Sequence, residues 1–355
     1  MAYISFQPKD QFTSKLYTGT GSTQTLTGLD FEPVFSWIKN RSSARSHRLV
    51  DTLRGIYTPD GFTKTIYSDN NGGQDTDDNA QRDFTSDGFI VGSENGVNES
   101  GDNIVGWNWK GGSTTIPSGS TVTVSSYSIN PTSGFGMYKY TDATPAGKII
   151  KHGLGRTPQF LMVKNYGGSH DWACYHSRID GNLANAGNYF IRLNTNEVSS
   201  ENSGYFDNTV TTDTDITLGA DNPVGGSGQT IIMYAFCNVP GFSRMGSYFG
   251  GSRTHGPFVY TGFKPAFVMF KSTAGVYSWA MMDGKISPTN KASKEIQFAN
   301  SSQTEGTYTT VDFLSNGFKL RSGDASLDPD GGNMIYMAFA EHPLVSSNGK
   351  SATAR

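Results

Sequence analysis

The sequence predicts an all-β protein of three tandem homologous β-sandwich-like modules, and three observations carry that prediction. Gly fills 43 of 355 positions, charged residues are only 17%, and aromatic residues reach 12%, a mix that suits strands joined by many tight turns. No segment sustains a 3.6-residue apolar stripe with caps, while short apolar runs end at Gly, Pro, Asn and Ser. One residue pattern also occurs three times, and it sets the layout.

The opening half of the pattern is Pro33-Val-Phe-Ser-Trp-Ile-Lys39, then Pro158-Gln-Phe-Leu-Met-Val-Lys164, then Pro265-Ala-Phe-Val-Met-Phe-Lys271. Eight residues beyond each Lys stand His47, Trp172 and Trp279, and four further on stand Asp51, His176 and Asp283. Gly28-Leu29, Gly153-Leu154 and Gly262-Phe263 lead into the three copies. In the closing half, Phe84-Thr-Ser-Asp-Gly-Phe89 matches Phe313-Leu-Ser-Asn-Gly-Phe318, and the middle copy has drifted. Trp107-Asn-Trp109, Tyr234-Ala-Phe236 and Met337-Ala-Phe339 then align. Aromatic lead-ins (Phe12 with Tyr17, Phe135 with Tyr140, Phe242 with Tyr248) introduce the copies, which predicts modules at 1–130, 131–240 and 241–355. The Gly/Ser/Thr-rich stretch from Gly111 to Ser126 reads as a linker or a polar edge strand, and the final SSNGKSATAR as a loose tail.

In the proline-to-lysine segment both alternating faces are apolar, Phe160 and Met162 on one and Leu161 and Val163 on the other. That predicts a strand covered on both sides. A proline at a strand's first residue spares the ladder a missing N–H, so Pro33, Pro158 and Pro265 are expected at equivalent strand starts. Ser-Asp-Gly and Ser-Asn-Gly are expected as tight hairpin turns. Register across the following loop places Lys39 opposite His47, Lys164 opposite Trp172 and Lys271 opposite Trp279. The lysine stem is then expected to cover the indole at an exposed site through a cation–π contact, with a looser hairpin where His47 replaces Trp. Modules of roughly 110 residues suit sandwiches and exceed the ~20–50-residue period of propeller blades or solenoid rungs.

Net charge is −3, so no global field recruits nucleic acid or an anionic membrane. The N-terminus lacks the basic-then-apolar pattern of a secretory leader, and the longest apolar run, about seven residues from Ile231 to Cys237, is far below the ~20 of a membrane helix. Cys174 and Cys237 are expected as buried free thiols rather than a disulfide. No nucleophile elbow, Walker loop, H-E-x-x-H or C-x-x-C occurs. His170-Asp171 with His176 is the one local histidine cluster, and His176 reads as a packing or polarity residue rather than a metal ligand. The acidic loop Asp69 to Asn79 and the shorter Asp328-Pro-Asp330 read as solvated turns rather than Ca²⁺ sites. No catalytic, cofactor or metal residue is assigned. Arg41, Arg45 and Arg48, with Lys39, make the most basic ten-residue stretch, a candidate surface contact against the simpler reading of a solvated loop with local ion pairs.

Three stretches carry a family likeness: the Tyr-Ala-Phe or Met-Ala-Phe strand before a Pro (Phe236 to Pro240, Phe339 to Pro343), Gly241 to Tyr248, and Gly262 to Lys271. On these, the chain resembles a repeat module of tailed-bacteriophage virion proteins, common in marine and cyanobacterial phages and tail-fibre-like. The resemblance spans nearly the whole chain. It implies a virion structural protein, assembled in the host cytoplasm, that belongs to the tail or adhesion apparatus and acts without catalysis. The implied partners are other virion proteins, further copies in a homotrimer or symmetric ring, and a host surface glycan or protein, with no nucleic acid, no membrane insertion and no cofactor. A capsid decoration or cement protein is the alternative, and a polysaccharide depolymerase the third reading. Three modules with Gly-rich loops are expected to spread weak contacts over a long surface for multivalent attachment.

Overall fold

The computed structural model describes residues 5–56, 63–77, 79–141, 144–288, 293–309 and 311–343. The tail 346–355 lies outside the described residues. The chain is all-β, in several antiparallel sheets. Helix among the described residues is confined to the short α turns Asn95–Asn98 and Ser203–Phe206 and the 3-10 turns Pro8–Asp10 and Leu183–Asn188.

One strand order recurs along the chain. The first large sheet runs Phe12–Thr18, Asn103–Lys110, Pro33–Asn40, Arg48–Asp51, Thr63–Ile66, Asp75–Asp77. The second runs Thr123–Asn130, Phe135–Thr141, Thr230–Cys237, Pro158–Asn165, Ala173–His176, and the third Ser243–Phe249, Asn333–Pro343, Phe263–Ser272, Ala280–Asp283, Ser293–Phe298, Gly306–Thr309. A small sheet belongs with each: Gln24–Thr27, Gly88–Val91 and Gln81–Thr85; Lys148–Lys151 with Asp215–Leu218; Phe258–Tyr260, Gly317–Leu320 and Val311–Leu314. We call these three units the repeats.

Burial follows the alternation of side chains along each strand. Phe35 and Trp37 join one interior shared by all three repeats, while Ile38 on the opposite face packs with Leu26, Phe89 and Val91 beneath the first small sheet. Phe267 and Met269 likewise face the shared interior, and Val268 and Phe270 face Phe318 and Leu320 in the third repeat's own core. Two covered faces explain why these strands read as continuously apolar. The two-residue turns fall where Thr85 pairs with Gly88 and Leu314 with Gly317. A Cβ on Gly88 would stand 1.8 Å from Leu26 O and one on Gly317 2.0 Å from Val259 O, so only glycine admits the neighbouring strand. The lead-in glycines Gly28, Gly153 and Gly262 all take positive φ, at 86°, 70° and 86°.

Strands begin at Pro33 and Pro158, but Pro265 is the third residue of Phe263–Ser272, which corrects the expectation of three strand-starting prolines. The common feature is a register shift beside each: Pro33/Phe35, Pro158/Phe160 and Pro265/Phe267. A bulge leaves one residue unpaired, so the missing N–H is accommodated inside a strand as well as at its start.

The repeats close into a ring rather than lying end to end. Three corresponding backbone hydrogen bonds join them: Gln74 N–H donates to Tyr166 O at 2.8 Å, Ser199 N–H to Thr273 O at 3.1 Å, and Glu305 N–H to Arg41 O at 3.0 Å. The last returns the third repeat to the first. On the central axis the corresponding rings of Trp109, Phe236 and Phe339 meet pairwise, with centroids 6.1, 5.7 and 6.0 Å apart. The three repeats thus meet at an aromatic hub.

Candidate functional site

The residues singled out by the repeat converge on the seams of this ring. Ladder register puts Phe35 opposite Asp51, Phe160 opposite His176 and Phe267 opposite Asp283. Extended by four residues, it sets Lys39, Lys164 and Lys271 opposite His47, Trp172 and Trp279. All three lysines are fully buried, against the expected exposed site. Each ammonium donates to one carbonyl of its own loop and one of the preceding repeat. Lys39 Nζ reaches Arg45 O at 2.6 Å and Ser302 O at 2.9 Å. Lys164 Nζ reaches His170 O, and Asn71 O at 3.0 Å. Lys271 Nζ reaches Tyr277 O at 2.7 Å and Asn196 O at 3.2 Å. Burial pulls the amines down to about 8, 8 and 7 respectively. The expected cation–π pairs are replaced: among the described residues the cation–π contacts are Arg48 over Tyr67 and Arg192 over Phe190. A buried ammonium needs carbonyl oxygens more than a ring face.

The residues opposite the lysines cross the same seams. Trp172 Nε1–H donates to Tyr67 O and Trp279 Nε1–H to Arg192 O, each at 2.8 Å. His47 Nε2 lies 3.0 Å from Phe298 O, the corresponding carbonyl, while its Nδ1 accepts Trp37 Nε1–H at 2.8 Å. Because Nδ1 accepts, Nε2 carries the proton and donates. The histidine hairpin is therefore anchored like the others, a correction to the expected looser one.

A further seam contact joins Asp51, His176 and Asp283 to the closing strands. Tyr234 OH donates to Asp51 Oδ2 at 2.7 Å and Trp107 Nε1–H to Asp283 Oδ2 at 2.9 Å. The third closing strand has Met337 at this position and offers no donor. There His176 replaces Asp: its Nδ1 accepts Arg178 N–H at 3.1 Å and its Nε2 donates to Tyr336 O at 3.3 Å. The turn role is common to all three, since Leu53 N–H and Lys285 N–H also donate to Asp51 Oδ1 and Asp283 Oδ1. Burial holds His176 down to about 3, hence neutral, and pushes the Asp283 carboxyl up. The repeat alignment exposed these positions; which repeat faces which was not in it.

The arginines of the basic loop are engaged by carboxylates. Arg41 grips Glu305 of the third repeat with Nε and Nη2 at 2.8 and 3.0 Å, Arg45 grips Glu99 at 2.9 and 3.0 Å, and Arg48 Nη2 meets Glu94 at 2.7 Å. Both cysteines are buried and free. His170, Asp171 and His176 do not converge: Asp171 pairs with Arg192 and His176 turns to the third repeat. Asp328 is fully buried and accepts Gly251 N–H at 2.7 Å and Arg253 N–H at 3.1 Å, so it is an internal cap and not a solvated turn. In the other acidic loop Asp75 accepts Tyr67 OH at 2.8 Å, and Asp78 lies outside the described residues. Among the described residues no group of three or more His, Cys, Asp or Glu is gathered to hold a metal, and no helix is long and apolar enough to cross a membrane.

An open feature that sequence reasoning missed is a cleft of about 400 Å3 between the second and third repeats, lined by Arg178, Arg244, Ser247, Phe258 and Tyr260 among others. Its walls come from three separate stretches of chain, 159–178, 238–260 and Tyr336, and no motif marks it. No curated protein and no solved structure matches the chain. A family model described as a domain of unknown function, DUF7483, matches residues 7–343. That span takes in all three repeats and the ring they close, and the chain belongs to this family.

Proposed function

We propose that the protein is a structural binding component of a tailed-bacteriophage particle, at its tail or adhesion apparatus, and that it acts by binding rather than catalysis. The observation that carries this reading is the closed ring: its repeated lysine, tryptophan and acidic positions are consumed in holding three repeats together. Such a body presents three related but non-identical outer flanks from one chain. A ring of three related units within a single chain suits seating on a trimeric or ring-shaped partner. The resemblance of Gly241 to Tyr248 and Gly262 to Lys271 to phage virion modules supplies the particle context.

A second reading, capsid decoration, draws support from Phe249, Phe258 and Tyr260, which are 62, 44 and 57% exposed on strands of the third repeat. Aromatic residues on a strand flank suit docking to a protein wall. The experiment is a binding comparison of the purified protein on cells of candidate bacterial hosts, on their surface polysaccharide, and on undecorated capsids. Retention on cells or glycan without chain cleavage supports the adhesion role. Retention on capsids alone moves the protein to decoration, and shortened glycan overturns the non-catalytic assignment.

A further inference from the structure

The three repeats treat one pair of strand edges in three different ways. In the second repeat the chain's own segment covers both edges. Thr123–Asn130 pairs antiparallel with Phe135–Thr141, and just before it Thr121 N–H donates to Ile149 O while Ser120 Oγ accepts Lys151 N–H. Ile129 and Val122 of this segment are buried. In the first repeat lysines guard the corresponding edges: Lys285 Nζ donates to Ser14 O at 2.7 Å and Lys15 Nζ to Thr27 O at 2.6 Å. Charged side chains over an edge are a common protection against pairing with another chain.

Among the described residues the third repeat has neither device. Ser243–Phe249 and Phe258–Tyr260 are each the last strand of their sheet, and the cleft lies between them. Only five residues separate Cys237 from Ser243, too few for a covering strand. The lysine positions are also changed: Arg178 stands where Lys285 stands, and Gly246 where Lys15 stands. Met245 N–H donates outward to Asn238 Oδ1 at 2.6 Å, so Ser247 and Phe249, in the same phase, direct their backbone groups outward too. Neither has an outward partner among the described residues.

We infer that this edge binds an extended strand of a partner protein, antiparallel to Ser243–Phe249, of mixed Ser/Thr and apolar character and carrying one carboxylate. The second repeat is the template: its covering strand has Thr123, Val124, Ser126, Tyr127, Ser128, Ile129 and Asn130 at the pairing positions. The carboxylate follows from charge, because Arg178 and Arg244 line the cleft without any acidic residue and neither forms an ion pair among the described residues. Ile129 of the template sits opposite Gly136, the counterpart of Arg244. A Glu at that strand position meets the guanidinium. Main-chain hydrogen bonds supply affinity and the Arg–carboxylate contact specificity. The inference does not depend on a phage origin.

The test uses the full chain and two synthetic peptides copying residues 120–130, one unaltered and one carrying Ile129→Glu, with a third carrying Ile129→Lys for the charge reversal, and binding is read by calorimetry. The Glu peptide is expected to bind roughly tenfold tighter, the effect of one charge-assisted contact. Ser247→Pro removes an outward N–H that the sheet itself does not use; it should abolish peptide binding and leave the melting temperature near wild type. Arg244→Glu should reverse the preference toward a peptide with Ile129→Lys. Failure of both peptides to bind at millimolar concentration overturns the inference, as does binding that Ser247→Pro and Arg244→Glu leave unchanged. Self-association lost in Ser247→Pro overturns the assigned occupant, because the edge would then be filled by a second copy.

Discussion

Replacing His176 by Asp restores the residue found at this position in the other two repeats, yet it is expected to damage the protein. The reason is the facing strand. Asp51 receives a phenol from Tyr234 and Asp283 an indole from Trp107, while Met337 in the corresponding place has nothing to donate. The introduced aspartate would keep the turn contact to Arg178 N–H but would strip Tyr336 O of its donor and leave one oxygen of a fully buried carboxylate without a donor. Loss of one partner from a buried charge costs about 3–5 kcal/mol, a large share of a typical total of about 5–15 kcal/mol. Met337→Tyr alone adds bulk to a packed interior, at about 1–3 kcal/mol. In the double variant the phenol meets the carboxylate as in Tyr234–Asp51, so the pair should be coupled by about 1.5–3 kcal/mol. The assay is urea unfolding of wild type, both single variants and the double at pH 7. The carboxyl introduced by His176→Asp has its folded pKa raised by burial, so the penalty is full above that pKa and is relieved as pH falls through it. The single variant should therefore close part of its gap to wild type at pH 5. Additive effects in the cycle, or a cost below about 1 kcal/mol for His176→Asp, would refute the seam logic.

The buried lysines make stability depend on pH. Their folded values of about 8, 8 and 7 lie below the ordinary 10.5, so from about pH 7 upward the unfolded chain holds more protons and stability should rise with pH. Lys271→Met should flatten that rise between pH 7 and 9.5 in urea titrations; an unchanged slope counts against burial as its cause. Phe236→Ala removes one ring of the axial trio and should cost about 3–5 kcal/mol with a single cooperative transition, whereas separate melting of the repeats would mean that the hub does not unite them. Burial pushes the Cys174 and Cys237 thiols up, Cys237 to about 12, so neither should react with a thiol reagent at pH 8 until denaturant is added. Rapid labelling of the native protein would contradict their placement.

Much of the fold class was legible because strands announce themselves locally. Sparse charge, Gly-punctuated apolar runs and two-residue Ser-Asp-Gly or Ser-Asn-Gly turns are properties of neighbouring residues, and period-two burial follows from backbone geometry alone. The equal spacing from Lys39 to His47, Lys164 to Trp172 and Lys271 to Trp279 was readable for the same reason, since a hairpin register needs only chain count. What those lysines do was not readable. A lysine stem beside an indole suits an exposed cation–π pair equally well, and only ring closure makes the site dry and brings Ser302 O, Asn71 O and Asn196 O to the ammonium groups.

The same limit governs the acidic and aromatic positions. Asp51 and Tyr234 are 183 residues apart and Trp107 and Asp283 are 176 apart, so no window along the chain contains both partners. The exchange of Asp for His at 176 reads in sequence as a packing or polarity residue, and becomes a compensation only when Met337 is known to face it. The sequence by itself determined the strands, their turns and the repeated register, because those depend on local stereochemistry. Folding in three dimensions sets which repeat meets which, which charges are buried and that, among the described residues, one strand edge of three is left uncovered, because those depend on contacts between segments that sequence order does not bring together.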